Sequence, residues 1–361
     1  MTEKKTLIFV IDNLKRGGAE TLLIGILPRL SAHYRIILVT LSGHKEFSAA
    51  QLQYCTHLSL GFRGKLSLLT AVYRLSVIIK KYRPALIHAH LTLSSQIARM
   101  ANRGRFPMAI SLHSMLYSNV FSKSKPLLLM EKMLFKKRDA LIAVSREALM
   151  EYQTHIGKAD QQYVLHNYIA DAFLQMQKDG IAANQSAELK LVAVGNIRRV
   201  KNYEFLLKAI AAANTAAISL DIYGAADADY LAELQNDVQQ HHLNVSFKGA
   251  VADVHRVLPG YDAFIMASKH EGFGIAVVEA MAVGLPVLLS DIPVFRSITQ
   301  NKALFFNLDD TNSLVQLLTQ ITSDKKMLSQ PAIDGSKWVK ENYTCDIYVQ
   351  KLLHIYADIQ Q

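Results

Sequence analysis

Cysteine is nearly missing from this chain of 361 residues: Cys55 and Cys345 stand alone, far apart and in no CxxC. That argues against a disulfide framework and a structural zinc site, and it fits a reducing compartment. No GxGxxG occurs, and no GxxxxGKS or GxxxxGKT, which argues against a nicotinamide or P-loop enzyme. A long uncharged apolar run is lacking too. The longest nearly uncharged stretch, Gly272 to Ser290, carries Glu279 in its middle and Pro286 near its end, so it does not read as a membrane span. Met1-Thr-Glu-Lys-Lys passes directly into the strand-like Thr6 to Ile11, a run too short for the core of a signal peptide. The expected location is the cytoplasm, free or peripheral at the inner face of the cell membrane. There is no short internal repeat and no low-complexity tract.

Acidic residues are scarce in one half only. The net charge is +10, with 25 Lys and Arg against 11 Asp and Glu in residues 1–180, and 15 against 19 in residues 181–361. Either one half bears a solvated basic face, or it meets something anionic: nucleic acid, membrane lipid or a phosphorylated acceptor. Nucleic acid is not expected, because no aromatic–basic interleaving or known motif accompanies the charge.

What is present is a repeated alternation of strand and helix signals in a chain that is half apolar and 19% charged. Strands are expected at Leu7–Ile11, Arg35–Leu41, Leu86–Ala89, Met108–Leu112 and Ala140–Val144, with helical patterns between them. A polar segment, Gln175 to Glu188, reads as a linker. The alternation then restarts with strands at Leu189–Val194, Ser219–Tyr223, Val245–Lys248, Ala263–Ala267, Val287–Leu289 and Leu304–Asn307. The fold class is α/β, two doubly wound domains of parallel sheet facing a central cleft, with ligands bound at the carboxyl ends of the strands.

The most informative segment follows the strand at Ala263–Ala267. Ser268-Lys-His-Glu271-Gly272-Phe273-Gly274-Ile275 leads into a helical pattern that carries Glu279. Gly272 and Gly274 permit a tight turn and close backbone approach to a ligand. The helix start favours phosphate, and two turns on Glu279 can accept hydrogen bonds from ligand hydroxyls. A diphosphate with a sugar at each end fits that spacing. Gly195-Asn196-Ile-Arg198-Arg199-Val-Lys201 follows another strand and supplies three cations suited to a diphosphate. Gly17 and Gly18 open the first helix and either present amides to a phosphate or form a plain tight turn. His113 lies just past a strand, at the expected cleft edge. His88-Ala-His90 ends a neighbouring strand; its imidazoles are expected on opposite faces, and with no third ligand in view no zinc site is read. Asp227-Ala-Asp229 reads as a helix N-cap, not a metal motif. Ser124 to Arg138 is a basic, apolar helix candidate. Its apolar positions are expected to face the core with a basic rim; the other reading dips them into a membrane while Lys123, Lys125, Lys132, Lys136, Lys137 and Arg138 meet anionic headgroups. The Gly61-Phe-Arg63-Gly-Lys65 loop adds to that rim.

Taken together, these segments resemble glycosyltransferase family 4, retaining enzymes of the two-domain GT-B fold, over nearly the whole chain. Glu271 and Glu279 match the family's E-x7-E motif. Gly17-Gly18-Ala19-Glu20 is similar to its N-terminal Gly-Gly-x-Glu loop, and His113 stands where the family has a histidine after the fourth strand. Ala143-Val144-Ser145 and Leu165-His166-Asn167-Tyr168-Ile169 resemble two further family segments. Gly195 through Lys201 occupies the place of Gly-Arg-x4-Lys, with Asn196 at the arginine position, so Arg198 or Arg199 has to supply the fork.

The resemblance implies domains of 1–172 plus 346–361, binding the acceptor, and 173–345, binding a nucleotide diphosphate sugar, UDP- or GDP-linked. The final helix is expected to cross back to the first domain. Glu279 would hold the ribose hydroxyls, and Glu271 the hydroxyls of the donor sugar. Backbone amides around Phe273, Gly274 and Ile275 would hold the distal phosphate. Lys201 with an arginine would offset charge on the leaving diphosphate. Gly18 would bring its N–H to the phosphate, and His113 would contact the sugar or position the acceptor. No metal and no further cofactor is expected, since cations and helix N-termini do that electrostatic work. The acceptor would be a glycan or a polyprenyl-diphosphate-linked sugar. The competing readings are a nucleotide-sugar epimerase or sugar phosphorylase on the same fold, and a non-catalytic sugar-nucleotide binding subunit.

Overall fold

The structure, a computed structural model, describes residues 4–176, 188–213 and 217–361. The chain divides into two compact units, Met1–Tyr168 with Cys345–Gln361, and Ile169–Thr344. The breaks thus fall at 168/169 and 344/345, within a few residues of the expected boundaries. Of the expected linker, residues 177–187 lie outside the described residues.

The first unit is built on seven parallel strands: β1 (Thr6–Ile11), β2 (Arg35–Thr40), β3 (Thr56–Ser59), β4 (Leu86–His90), β5 (Met108–Leu112), β6 (Ala140–Ala143) and β7 (Gln162–Val164), in the order β3-β2-β1-β4-β5-β6-β7. The order reverses beside β1, which pairs with β2 on one side and β4 on the other. Helices cover both faces, so the central strands are buried on both sides. That is why β1 and β6 read as apolar runs and not as alternating ones, while β4 and β5 are just as buried but carry His88, His90 and Ser111. The edge strands β3 and β7 are short and partly exposed.

The last helix, Cys345–Ile359, belongs to this unit and packs on the first helix, Gly18–Leu30. Leu352, Ile355, Tyr356 and Ile359 join one core with Leu23, Ile26 and Leu27. Arg29 closes on Asp346 at 2.5 Å. Tyr168 completes the seam by donating to the carbonyl of Leu22 at 2.7 Å. Gly25 is required here, since a Cβ at that position would collide with the Tyr168 hydroxyl.

The second unit holds six parallel strands: β8 (Leu189–Val194), β9 (Ile218–Tyr223), β10 (Val245–Gly249), β11 (Ala263–Met266), β12 (Val287–Ser290) and β13 (Leu304–Phe306), in the order β10-β9-β8-β11-β12-β13. Its reversal lies between β8 and β11, which are paired. The loops leaving the carboxyl ends of these two strands carry the Gly195 and Glu271 segments, so both arrive at the place where doubly wound sheets bind ligands. The helix after the second loop, Ile275–Ala282, is apolar almost all round because the Ser329–Asn342 helix covers it. Gly335 permits that approach, as a Cβ there would come 3.0 Å from Met281 Cε.

Candidate functional site

In the second unit the two loops are tied together by backbone and side chain. The Lys269 N–H donates to the carbonyl of Val200 at 2.9 Å. Lys201, ending a single turn at Arg199–Lys201, reaches across to Glu271, with Nζ 2.5 Å from Oε1. The same oxygen accepts from Ser268 Oγ at 2.8 Å. Both side chains of the pair are largely buried, 17% and 14% exposed, so each charge depends on the other for compensation. The lysine stem crosses Gly195, where a Cβ would stand 3.2 Å from Lys201 Cε, and where φ is +151°. Tyr203 fastens that corner by donating to the carbonyl of Gly195 at 3.2 Å.

Past Glu271 the chain turns through Gly272. Phe273 is buried edge-on against Tyr343, with ring centroids 5.8 Å apart, and anchors the turn from beneath. Gly274 caps the helix in the left-handed region at φ +88°, and a Cβ on it would come 2.9 Å from Phe295. Glycine is therefore needed twice over, for conformation and for space. Ile275 and Glu279, one turn apart, are the two residues of the Ile275–Ala282 helix that are only half-buried. They mark its open side. The Glu279 carboxyl accepts no hydrogen bond from any described residue, and burial pushes it up to about 8. With no donor to stabilise its charged form, the carboxyl is biased toward the neutral one.

The cations of the Gly195 segment part company. Arg199 forks onto Glu233, with Nη2 at 2.6 and 2.8 Å from its two oxygens, and lies over the Tyr230 ring at 4.8 Å. Arg198 is exposed in extended backbone, and its guanidinium has no partner among the described residues. Asn196 is exposed beside it. Asp227 caps the Ala228–Gln240 helix by accepting from the Tyr230 N–H at 3.3 Å. No group of three or more His, Cys, Asp or Glu among the described residues is disposed to hold a metal ion.

In the first unit, Gly17 and Gly18 stand at the start of Gly18–Leu30, as expected, but they differ. Space beside Gly17 is taken by the Glu20 carboxylate, whereas nothing lies within 4 Å of a Cβ at Gly18. Burial raises the Glu20 carboxyl, with nearby Asp12 adding to the shift. Asp12 in turn accepts from the Ser94 N–H at 3.0 Å and from its hydroxyl.

His113 follows β5 and is not alone. Its Nε2 meets His90 Nδ1 at 2.9 Å. The expectation that His88 and His90 point to opposite faces was wrong: residues two apart on a strand share a face, and their ring centroids are 4.2 Å apart. His88 bonds Tyr356 OH at 2.6 Å and Ser111 Oγ at 2.8 Å. Burial pushes His88 down to about 3 and His113 to about 4, and takes His90 well below its ordinary value. The row is thus neutral at physiological pH. Two buried nitrogens in it, His113 Nδ1 and His90 Nε2, find no partner among the described residues. His88 and His90 were missed as neighbours of His113, although the period of two was available to find them.

The basic helix also differs from expectation. In Lys125–Leu134 the one buried residue is Glu131, while Leu129 and Met133 are 60% and 72% exposed. Glu131 is held inward by Arg99 Nη1 at 2.5 Å and by the Tyr152 hydroxyl at 2.5 Å, and Asp139 takes Arg99 Nε at 3.0 Å. The charged residue faces the core because it completes this network; Leu127, Leu128, Met130 and Leu134 are half-buried, and Leu129 and Met133 are left outside.

Two family models match the chain. One, described as Glycosyltransferase Family 4, covers residues 16–172, and the other, Glycosyl transferases group 1, covers residues 177–338. A putative glycosyltransferase EpsF of Bacillus subtilis is 26% identical over 318 residues, 80% of either chain. The O-antigen chain mannosyltransferase RfbU of Salmonella typhimurium is 51% identical over 51 residues, 14% of either chain. Among solved structures, Anabaena HepE in complex with UDP and glucose superposes with a TM-score of 0.81, at 19% identity, over 98% of this chain and 100% of that one.

Proposed function

The chain belongs to glycosyltransferase family 4, with the two Rossmann-like domains of the GT-B fold, and on that premise we propose a retaining, metal-independent transfer of a hexose or N-acetylhexosamine. The donor is a nucleotide diphosphate sugar, UDP- or GDP-linked, and the acceptor a glycan or polyprenyl-diphosphate-linked sugar in the synthesis of cell-surface polysaccharide or glycoconjugate. Support for the pathway comes from relatives named for O-antigen synthesis. Support for a nucleotide sugar comes from fold neighbours solved with UDP and UDP-glucose.

The observation that carries the reading is the buried Lys201–Glu271 pair set beside a helix start, with the unpartnered Glu279 one turn on. Glu279 would accept from the ribose hydroxyls. Amides around Phe273, Gly274 and Ile275 would hold the distal phosphate at the positive end of the helix. Glu271 would bind sugar hydroxyls through the oxygen that Lys201 and Ser268 leave free. Lys201 would balance the charge that develops as the bond between the anomeric carbon and phosphate oxygen breaks. The acceptor hydroxyl attacks from the same face through an oxocarbenium-like state, and its proton passes to the departing phosphate. No carboxylate acts as nucleophile. Of the two arginines, we assign the role at the diphosphate to Arg198, because Arg199 is occupied by Glu233. Acceptor binding falls to the first unit, where Gly18 leaves the start of its helix open and His113 follows β5.

A screen of nucleotide sugars by thermal stabilisation identifies the donor, since a ligand bound only by the folded state raises its melting point. With that donor, product NMR is expected to show the anomeric configuration of the donor retained. An inverted product would overturn the mechanism.

A further inference from the structure

Between Glu46 and Asp139 the chain has fifteen Lys and Arg and a single carboxylate, Glu131. That carboxylate is buried in its bond to Arg99. This stretch therefore puts no exposed acid on the surface it builds. That surface includes two helices, Leu68–Tyr82 and Lys125–Leu134, which both pack on Thr92–Asn102 and so belong to one layer over the sheet.

Both helices turn apolar side chains outward. Ala71, Leu75 and Ile79 of the first face the core. On its opposite side Leu69, Tyr73 and Val77 recur every four residues, 80%, 68% and 45% exposed, and Leu66 in the turn before them is fully exposed. Spacing of four keeps them in one stripe, and Lys80 and Lys81 extend it. The second helix repeats the arrangement with Leu129 and Met133 beside Lys125 and Lys132. Nothing in folding this unit calls for large apolar groups there, and clustered exposure of this kind marks an interaction surface.

We infer that this layer is a docking face for an anionic lipid bilayer. The stripes would enter the boundary between headgroups and acyl chains, with Tyr73 at the level that aromatic residues prefer, and the lysines would meet the headgroups. Charge decides the occupant: a surface of cations and apolar groups without exposed acids is complemented by negative headgroups above hydrocarbon. Nucleic acid would match the cations and leave the stripes against phosphate. No helix among the described residues is long and apolar enough to cross a membrane, so attachment would be peripheral.

The test is co-sedimentation of the full chain with vesicles of phosphatidylcholine, with and without phosphatidylglycerol. Binding is expected to the anionic vesicles alone and to weaken with salt. The variant Leu69→Ser/Tyr73→Ser is expected to lose at least about tenfold in partitioning, and Lys80→Glu/Lys81→Glu roughly fivefold or more for each charge. Both should keep the melting point and the nucleotide-induced stabilisation of the parent. Failure to bind anionic vesicles, equal binding to neutral ones, or variants that partition like the parent would overturn the docking face. So would binding of a short RNA that is indifferent to Leu69 and Tyr73. The inference stands apart from the transfer reaction: intact nucleotide stabilisation with lost vesicle binding sinks only the docking face, and the converse sinks only the donor site.

Discussion

Glu279 combines a carboxyl pushed up to about 8 with the lack of any donor among the described residues. Because burial raises it in the folded state, the folded chain holds a proton there that the unfolded chain gives up above its ordinary value. Stability from this group is full below that value and is lost as pH rises toward about 8. Glu279→Gln is therefore expected to gain on the parent protein as pH rises over that window, read as the difference in melting temperature. It should also weaken nucleotide binding, since a ribose diol is best met by the carboxylate. Calorimetry in buffers of different ionisation enthalpy should register proton release when the nucleotide binds near neutral pH. His88 and His113 act in the opposite sense. Their lowered values make the unfolded state the better proton acceptor, so their contribution is lost as pH falls below the ordinary histidine range. The two arginines give a second contrast. Arg198→Ala should cost on the order of tenfold or more in transfer, as a charged contact to diphosphate is worth about 1.5–3 kcal/mol. Arg199→Ala should cost less, because its exposed pair with Glu233 contributes little.

At the scale of elements, Gly274 and the last helix make the clearest demands. Gly274→Ala is expected to destabilise the fold by about 1–2 kcal/mol from the left-handed backbone alone, with Phe295 adding to that, and denaturant melts would measure it. Tyr356→Phe removes one of the two partners of buried His88, the one at Nδ1, and should cost about 1–3 kcal/mol. The central strands were legible because burial on both faces makes them mostly apolar, β4 and β5 included despite His88, His90 and Ser111. The short, partly exposed β3 and β7 carry no such signal and went unassigned. So did the helices Pro293–Thr299, Thr311–Ser323 and Ser329–Asn342. The third of these contains Pro331 and Gly335, two poor helix formers, and has modest apolar content, so no helical period stands out in it. The outward stripe of Leu68–Tyr82 was hidden for a related reason. Periodicity shows that apolar residues share a face, but here both faces are apolar, and only packing tells the core side from the outer one.

For the whole molecule, charge and chemistry divide along the same line. The first unit carries 25 Lys and Arg against 11 Asp and Glu, and the second 15 against 19. The basic unit bears the apolar stripes and the neutral histidine row. The acidic unit bears the Lys201–Glu271 pair and Glu279. The Glu271 and Gly195 segments were readable in sequence because each pairs glycine with charge at a strand end. What sequence could not supply was the partnering: that Lys201 closes on Glu271, that Arg199 belongs to Glu233, and that Glu20 fills the space beside Gly17. Those contacts join residues from separate turns and helices, and no local pattern specifies them. The central claim is that the Lys201–Glu271 pair is the reacting centre. Its most direct test is nucleotide diphosphate release from the donor by Lys201→Ala and Glu271→Ala proteins whose circular dichroism matches the parent. Each is expected to lose roughly 10²–10³-fold in rate; release at the parental rate in both would contradict the assignment.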